Sequence, residues 1–151
     1  LGHDVRLLAS CCDQVTGMDI SQTAINKARK MNRLNNVSYK VADFFNLEDF
    51  FTQSFDWIVE HTFFCAINPS MRQSYVENLI KVLKPNGYFL SVFFLKDGCN
   101  SNSEGPPYKI NKEAVEGYFG SHFEVIESYI PQVHYDSRPH GSEYLCLMRL
   151  K

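Results

Sequence analysis

Apolar positions along the chain switch between two spacings. Short runs of strand character end in acidic or turn residues, and between them apolar residues recur three and four apart. Val5 to Ser10 reads as the tail of a helix, and Gln14 to Met18 as a short strand ending at Asp19. Ser21 then caps a helix that runs to about Arg33, with Ile25, Ala28 and Met31 on its inner face. Asn35-Asn36 breaks the chain before a strand from Val37 to Ala42, which ends at Asp43, and Gln53-Ser54 introduces another apolar strand, Phe55 to Glu60. Pro69 opens a helix on which Tyr75, Leu79, Val82 and Leu83 repeat at helical spacing. Lys84-Pro85-Asn86-Gly87 stops it and leads into the strand Tyr88 to Leu95. Lys96 to Pro107 has turn composition and no period. Asn111 caps a short helix ending near Gly120, and two strands follow, Phe123 to Tyr129 and Glu143 to Leu150, separated by the loop Pro131 to Gly141.

This alternation predicts an α/β fold: one domain over residues 1–151, with a doubly wound, mostly parallel sheet, helices on both faces and an antiparallel last strand. Such an order requires a strand before the first helix, beside the one ending at Asp19, and the chain supplies no residues for it. Leaving it out exposes unpaired backbone edges at the centre of the sheet, so the expectation is that the natural protein continues N-terminally or that a partner chain fills the gap.

Composition narrows the class. The chain has 151 residues, 44% of them hydrophobic, and a formal net charge of -2, which suits a globular domain and gives no nucleic-acid footprint. Lys27, Arg29, Lys30 and Arg33 cluster at helical spacing, as on a solvated helix face. The longest apolar run, Tyr88 to Leu95, falls far short of the about 20 residues that span a membrane. The five cysteines, Cys11, Cys12, Cys65, Cys99 and Cys146, form no C-x-x-C pair and no zinc spacing; reduced thiols in a cytoplasmic protein, with no metal, are the expectation.

Chemistry concentrates where strands end, the place ligands occupy in doubly wound sheets. Gly2 opens a helix, where a missing side chain lets the backbone approach a cofactor. Asp19, in Val15-Thr16-Gly17-Met18-Asp19-Ile20-Ser21, can accept from both hydroxyls of a ribose; the competing role of helix cap already falls to Ser21. Asp43, in Val41-Ala42-Asp43-Phe44-Phe45, can accept from an adenine amine while Phe44 offers its backbone N–H and an apolar wall; the alternative is a turn aspartate before two core aromatics. Two acids after successive strands, without a G-K-[ST] loop, suit a nucleoside lacking phosphate.

Leu1-Gly2-His3-Asp4-Val5 resembles the end of the glycine-rich first motif of class I methyltransferases, and V-T-G-M-D-I-S and V-A-D-F-F resemble their second and third cofactor motifs. More specifically, Glu60-His61-Thr62-Phe63-Phe64-Cys65-Ala66-Ile67-Asn68-Pro69-Ser70-Met71-Arg72 and Gly105-Pro106-Pro107-Tyr108 are similar to segments of the thiopurine and thiol (halide, thiocyanate) methyltransferase family. The resemblance implies a Rossmann-like fold and methyl transfer from S-adenosylmethionine to a small soft nucleophile: a thiol, thiopurine, thiocyanate or halide. Gly2, Asp19, Ile20, Asp43, Phe44 and Glu60 become candidate cofactor contacts, Glu60 through the cofactor's ammonium group or else as a solvated strand end. His61 is a candidate proton acceptor, or a structural histidine. Phe63, Phe64 and an unreactive Cys65 supply pocket wall and core, with Phe63 a candidate acceptor contact. Arg72 and Arg138 match arginines that address an anionic acceptor; the alternative for both is an exposed arginine paired with a nearby carboxylate, for Arg138 Asp136 or Glu143. Tyr108 closes over the acceptor or anchors its loop. The expected partner is a small molecule, with no nucleic acid or membrane, in a monomer or weak homodimer. An O- or N-methyltransferase, a module that binds without turnover, and a nicotinamide oxidoreductase (which Asp43 fits poorly) remain the other readings.

Overall fold

The computed structural model describes residues 2–47, 51–95, 105–133 and 136–151. The turn-rich segment from Lys96 lies largely outside the described residues, with Cys99, as do Leu1 of the first motif and two positions of the loop before the last strand. The chain divides into two compact units at residues 47 and 48, taken in turn below.

In the first unit, Gly2 adopts φ 69 and starts helix α1 (His3–Leu8), two residues earlier than the apolar pattern indicates. Strand β1 (Val15–Asp19), helix α2 (Gln22–Met31) and strand β2 (Val37–Val41) follow. The strands pair in parallel, Val15 beside Val37 through Asp19 beside Val41, so both end at the same edge. Ser21 caps α2 as expected, its hydroxyl accepting from the Ala24 N–H at 3.2 Å. Ile25 and Ala28 are buried with Tyr39, flanked by Val5 and Val37. Met31, expected on that inner face, is instead 47% exposed. Each three-residue step falls about 60° short of a turn, so Met31 has rotated about 120° away from Ile25.

The second unit is built on a four-stranded sheet in the order β3 (Phe55–His61), β4 (Leu83–Phe94), β6 (Glu143–Leu150), β5 (Phe123–Tyr129). β3 and β4 are parallel, while β6 runs antiparallel to both of its neighbours. Pairing jumps from Phe55–Leu83 to Trp57–Tyr88, looping out the expected Lys84–Gly87 turn, in which Asn86 takes φ 62. The helix expected from Pro69 begins as a 3₁₀ turn, Pro69–Met71, capped by Asn68, and becomes α3 at Arg72–Val82. It buries Tyr75, Val76, Leu79 and Val82. Helix α4 (Lys112–Phe119) is capped by the Asn111 side chain, which accepts from the Ala114 N–H at 2.9 Å.

Alternation along β4 sends Phe89, Ser91 and Phe93 to one buried face. Their aromatic rings join Phe64, Phe119 and Phe123, with Phe89 5.5 Å from Phe119 and Phe64 5.1 Å from Phe119. Tilted and edge-on contacts of this kind add to area burial and fix the packing of the unit.

Candidate functional site

The nucleoside-type candidates lie in the first unit. Ala42 N–H bonds to the Asp19 carbonyl at 3.1 Å, which brings Asp43 to the strand edge where Asp19 ends. Each carboxylate spends one oxygen on its own turn: Asp19 Oδ1 accepts from Ser21 N–H at 2.8 Å, and Asp43 Oδ1 from Phe45 N–H at 3.0 Å. The local bonds orient the side chains and leave each a second oxygen. Ile20 is exposed, and Phe44 is half-buried. Gly2 and Asp19 border a cavity of about 250 Å³, which Asp4, Gly17, Ala28 and Tyr39 also line. A Cβ on Gly2 would lie 2.5 Å from the Tyr39 hydroxyl, and one on Gly17 2.8 Å from its ring, so this cavity wall needs both glycines. The Tyr39 hydroxyl is buried without a hydrogen-bond partner among the described residues. Sequence reading passed over Tyr39, which looks like an ordinary strand aromatic.

The acceptor-type candidates lie in the second unit. β3 ends at His61, and Thr62 turns the chain with φ 58 into a 3₁₀ turn, Phe64–Ala66. Glu60 is not a solvated strand end; it is buried, at 8% exposure. Its Oε2 accepts from the N–H groups of Phe63 (2.6 Å) and Phe64 (3.3 Å), and the Ser91 hydroxyl donates to its Oε1. Burial pushes the Glu60 carboxyl up to about 7, against the pull of the Ser91, Phe63 and Phe64 hydrogen bonds. Ser91 was missed in the sequence, although a serine inside the apolar run Tyr88 to Leu95 was its signal.

Phe63 is 43% exposed, while Phe64 is fully buried. The Cys65 thiol donates to the Thr62 carbonyl at 3.0 Å, and burial followed by the Glu60 charge pushes it up, so it is protonated and inert. Tyr108 is half-buried, and its backbone N–H donates to the Cys65 carbonyl at 2.7 Å, tying its segment to the turn after β3.

Arg72, the first residue of α3, is 4% exposed. Its guanidinium lies 5.2 Å from the centre of the Phe64 ring, and Nη1 donates to the Lys109 carbonyl at 3.1 Å. Nε and Nη2 are buried with no hydrogen-bond partner among the described residues. Burial lowers the Arg72 pKa, while Tyr118, through its charge and a side-chain hydrogen bond looser than the bond to Lys109, favours the charged form. Arg138 does pair with Glu143, as its alternative reading had it, at 3.0 Å. Neither atom has the alignment of a hydrogen bond, so this is an ion pair by distance. Arg138 also lies over Phe94 at 5.0 Å and 3.5 Å from the Thr62 hydroxyl. Glu143 is buried, and its Oε1 sits 3.9 Å from His61 Nε2 as well. Among the described residues no cluster of His, Cys, Asp and Glu could hold a metal ion, and no helix is long and apolar enough to cross a membrane.

The family model for thiopurine S-methyltransferase (TPMT) matches residues 1–143. A probable thiol methyltransferase 2 of Arabidopsis thaliana is 38% identical over 120 residues, covering 76% of this chain and 50% of that protein. The thiocyanate methyltransferase 1 of the same plant is 36% identical over 121 residues, with the same coverage. The chain thus spans about half the length of the curated relatives it matches. A SAM-dependent methyltransferase from Methanosarcina mazei superposes with a TM-score of 0.77 at 18% identity, over 96% of this chain and 85% of that one, so the fold is Rossmann-like. With two-unit geometry, strand-end acids and a family match over nearly all its length, the chain belongs to the thiopurine S-methyltransferase family.

Proposed function

We propose that the protein transfers a methyl group from S-adenosylmethionine to a small soft anion, such as a thiolate, thiopurine, thiocyanate or halide. The observation that carries the acceptor class is Arg72. A buried guanidinium whose Nε and Nη2 make no well-aligned hydrogen bond, with Tyr118 as nearby support, is costly, and an anion at those donors would offset the cost. The relatives named for thiol and thiocyanate methylation agree with an acceptor of that charge.

For the cofactor, the second oxygens of Asp19 and Asp43 suit ribose hydroxyls and an adenine amine, and the glycine-lined cavity accommodates close backbone approach. Phe44 and Ile20 flank these acids. The bound cofactor supplies an electrophilic methyl group on a sulfonium sulfur. Held by Asp19 and Asp43, it would offer that carbon to an acceptor lone pair, with the sulfur as leaving group. The protein's part is to align and desolvate the anion, a job for Arg72 and the exposed face of Phe63. Arg138 is partly neutralised by Glu143 and so contributes less charge. His61, with Glu143 behind it, takes the proton of an acceptor that arrives as a neutral thiol; thiocyanate and halide bring none. Tyr108 borders the same turn.

Calorimetry of the intact protein with S-adenosylhomocysteine tests the cofactor side: binding is expected, and Asp19→Ala should abolish or sharply weaken it. Hydrosulfide, thiocyanate, iodide and an aromatic thiol, assayed for methyl transferred, test the acceptor. Silence across that panel would overturn the reading.

A further inference from the structure

The candidate acceptor residues all depend on one tight turn. Thr62 to Cys65 follow β3, and Thr62 takes φ 58, a left-handed conformation that a β-branched residue disfavours. Every residue of the turn carries one part of the acceptor side. The Thr62 hydroxyl stands 3.5 Å from Arg138 Nη2. Phe63 presents its own exposed ring. Phe64 lies beneath the Arg72 guanidinium at 5.2 Å, and the Cys65 carbonyl receives the Tyr108 N–H at 2.7 Å.

The sheet's last bond to this segment is Thr62 N–H to the Val92 carbonyl, at 2.8 Å. Beyond it, the next two backbone donors, Phe63 and Phe64, both end on Glu60 Oε2. Ser91, paired with Glu60 across β3 and β4, holds the other carboxylate oxygen. Glu60 therefore clamps the turn to the paired strands β3 and β4, with both oxygens engaged inside the chain. Without it, two N–H groups at the turn lose their acceptor and the Thr62 conformation loses its support.

We infer that Glu60 is a positioning residue for the methyl acceptor, setting Phe63, Arg72, Tyr108 and Arg138 through the Thr62–Cys65 turn, and not a ligand of the cofactor's ammonium group. This rests on the methyl-transfer reading above. Glutamine is the discriminating substitution. Its amide oxygen can accept from Phe63 and Phe64 and its amide nitrogen can reach the Ser91 hydroxyl, so the clamp survives while the charge is lost.

The experiment combines steady-state kinetics with a thiolate acceptor, calorimetry with S-adenosylhomocysteine, and hydrogen exchange at the Phe63 and Phe64 amides, all on the intact protein. Glu60→Ala should raise the acceptor KM about tenfold or more and speed exchange at both amides, with cofactor affinity changed by no more than about twofold. Glu60→Gln should recover most of the acceptor affinity and the protection. Weaker S-adenosylhomocysteine binding in Glu60→Gln, with acceptor KM little moved, would overturn the inference, as would unchanged amide protection in Glu60→Ala. If Glu60→Ala does not fold, Glu60→Gln and Ser91→Ala decide it; the serine variant should raise acceptor KM and leave cofactor affinity alone. A wild-type protein that protects the two amides yet neither binds S-adenosylhomocysteine nor transfers a methyl group sinks the methyl-transfer reading and leaves the clamp standing.

Discussion

Glu60 and Arg72 are both charged groups taken out of water, but their surroundings differ. Glu60 has both oxygens hydrogen-bonded, yet burial still raises its carboxyl to about 7, because desolvation outweighs those bonds. Its carboxyl, raised from the ordinary 4.5 to about 7, binds a proton more readily in the native state than in the unfolded chain. The resulting stability is full below about pH 4.5 and is lost as pH rises through 7. Glu60→Gln removes this dependence, so its stability relative to wild type should improve by about 2–3 kcal/mol between pH 5 and pH 8. Denaturant unfolding of both proteins at the two pH values checks this; parallel curves would count against it. Arg72, by contrast, has donors to spare. Arg72→Ala should raise KM for anionic acceptors at least tenfold, as the loss of about 1.4 kcal/mol or more of ionic binding implies. S-adenosylhomocysteine affinity, read by calorimetry, should stay unchanged.

At the scale of elements, the first unit depends on how closely β1, α1 and β2 approach. Tyr39 from β2 lies against Gly17 of β1, where an added Cβ would stand 2.8 Å from the ring and 2.9 Å from Val5 Cγ2. Gly17→Ala is therefore expected to cost about 1–3 kcal/mol through overpacking, measured by thermal unfolding. If the Tyr39 ring is displaced toward the cavity it lines, S-adenosylhomocysteine binding should weaken as well. The sequence marked the elements themselves well, because caps such as Ser21 and Asn111 and the Lys84–Gly87 stop act within a few residues. It misplaced Met31, since a three-residue step drifts round the helix, and it passed over the 3₁₀ start at Pro69.

At the scale of the molecule, the second unit is held by a continuous aromatic core. Phe89 is fully buried and its ring meets those of Tyr75, Phe93, Phe119 and Phe123, so it joins α3, β4, α4 and β5. Phe89→Ala should cost about 3–5 kcal/mol by denaturant unfolding, with the loss spread over the whole unit. A loss under about 1 kcal/mol would mean that the core is not shared in this way. The antiparallel placing of β6 between β4 and β5 brings Glu143, at its first residue, to the same end as His61 and Arg138. Residues distant along the chain meet there only because β6 runs against its neighbours.

By itself the sequence determined the strand and helix order, the acids at the ends of β1 and β2, and the motif pattern that marks the family, because each of these is local or periodic. Only the tertiary structure decided what the charged residues do. Glu60 reads as a strand-end acid until the cross-strand register sets Ser91 beside it and the Thr62 turn folds two N–H groups onto it. Arg72 stands in the sequence as a match to an anion-binding arginine, and only packing buries it on Phe64 with Nε and Nη2 short of well-aligned hydrogen bonds. Burial and partnership are properties of neighbours in space, and no spacing along a chain encodes them directly.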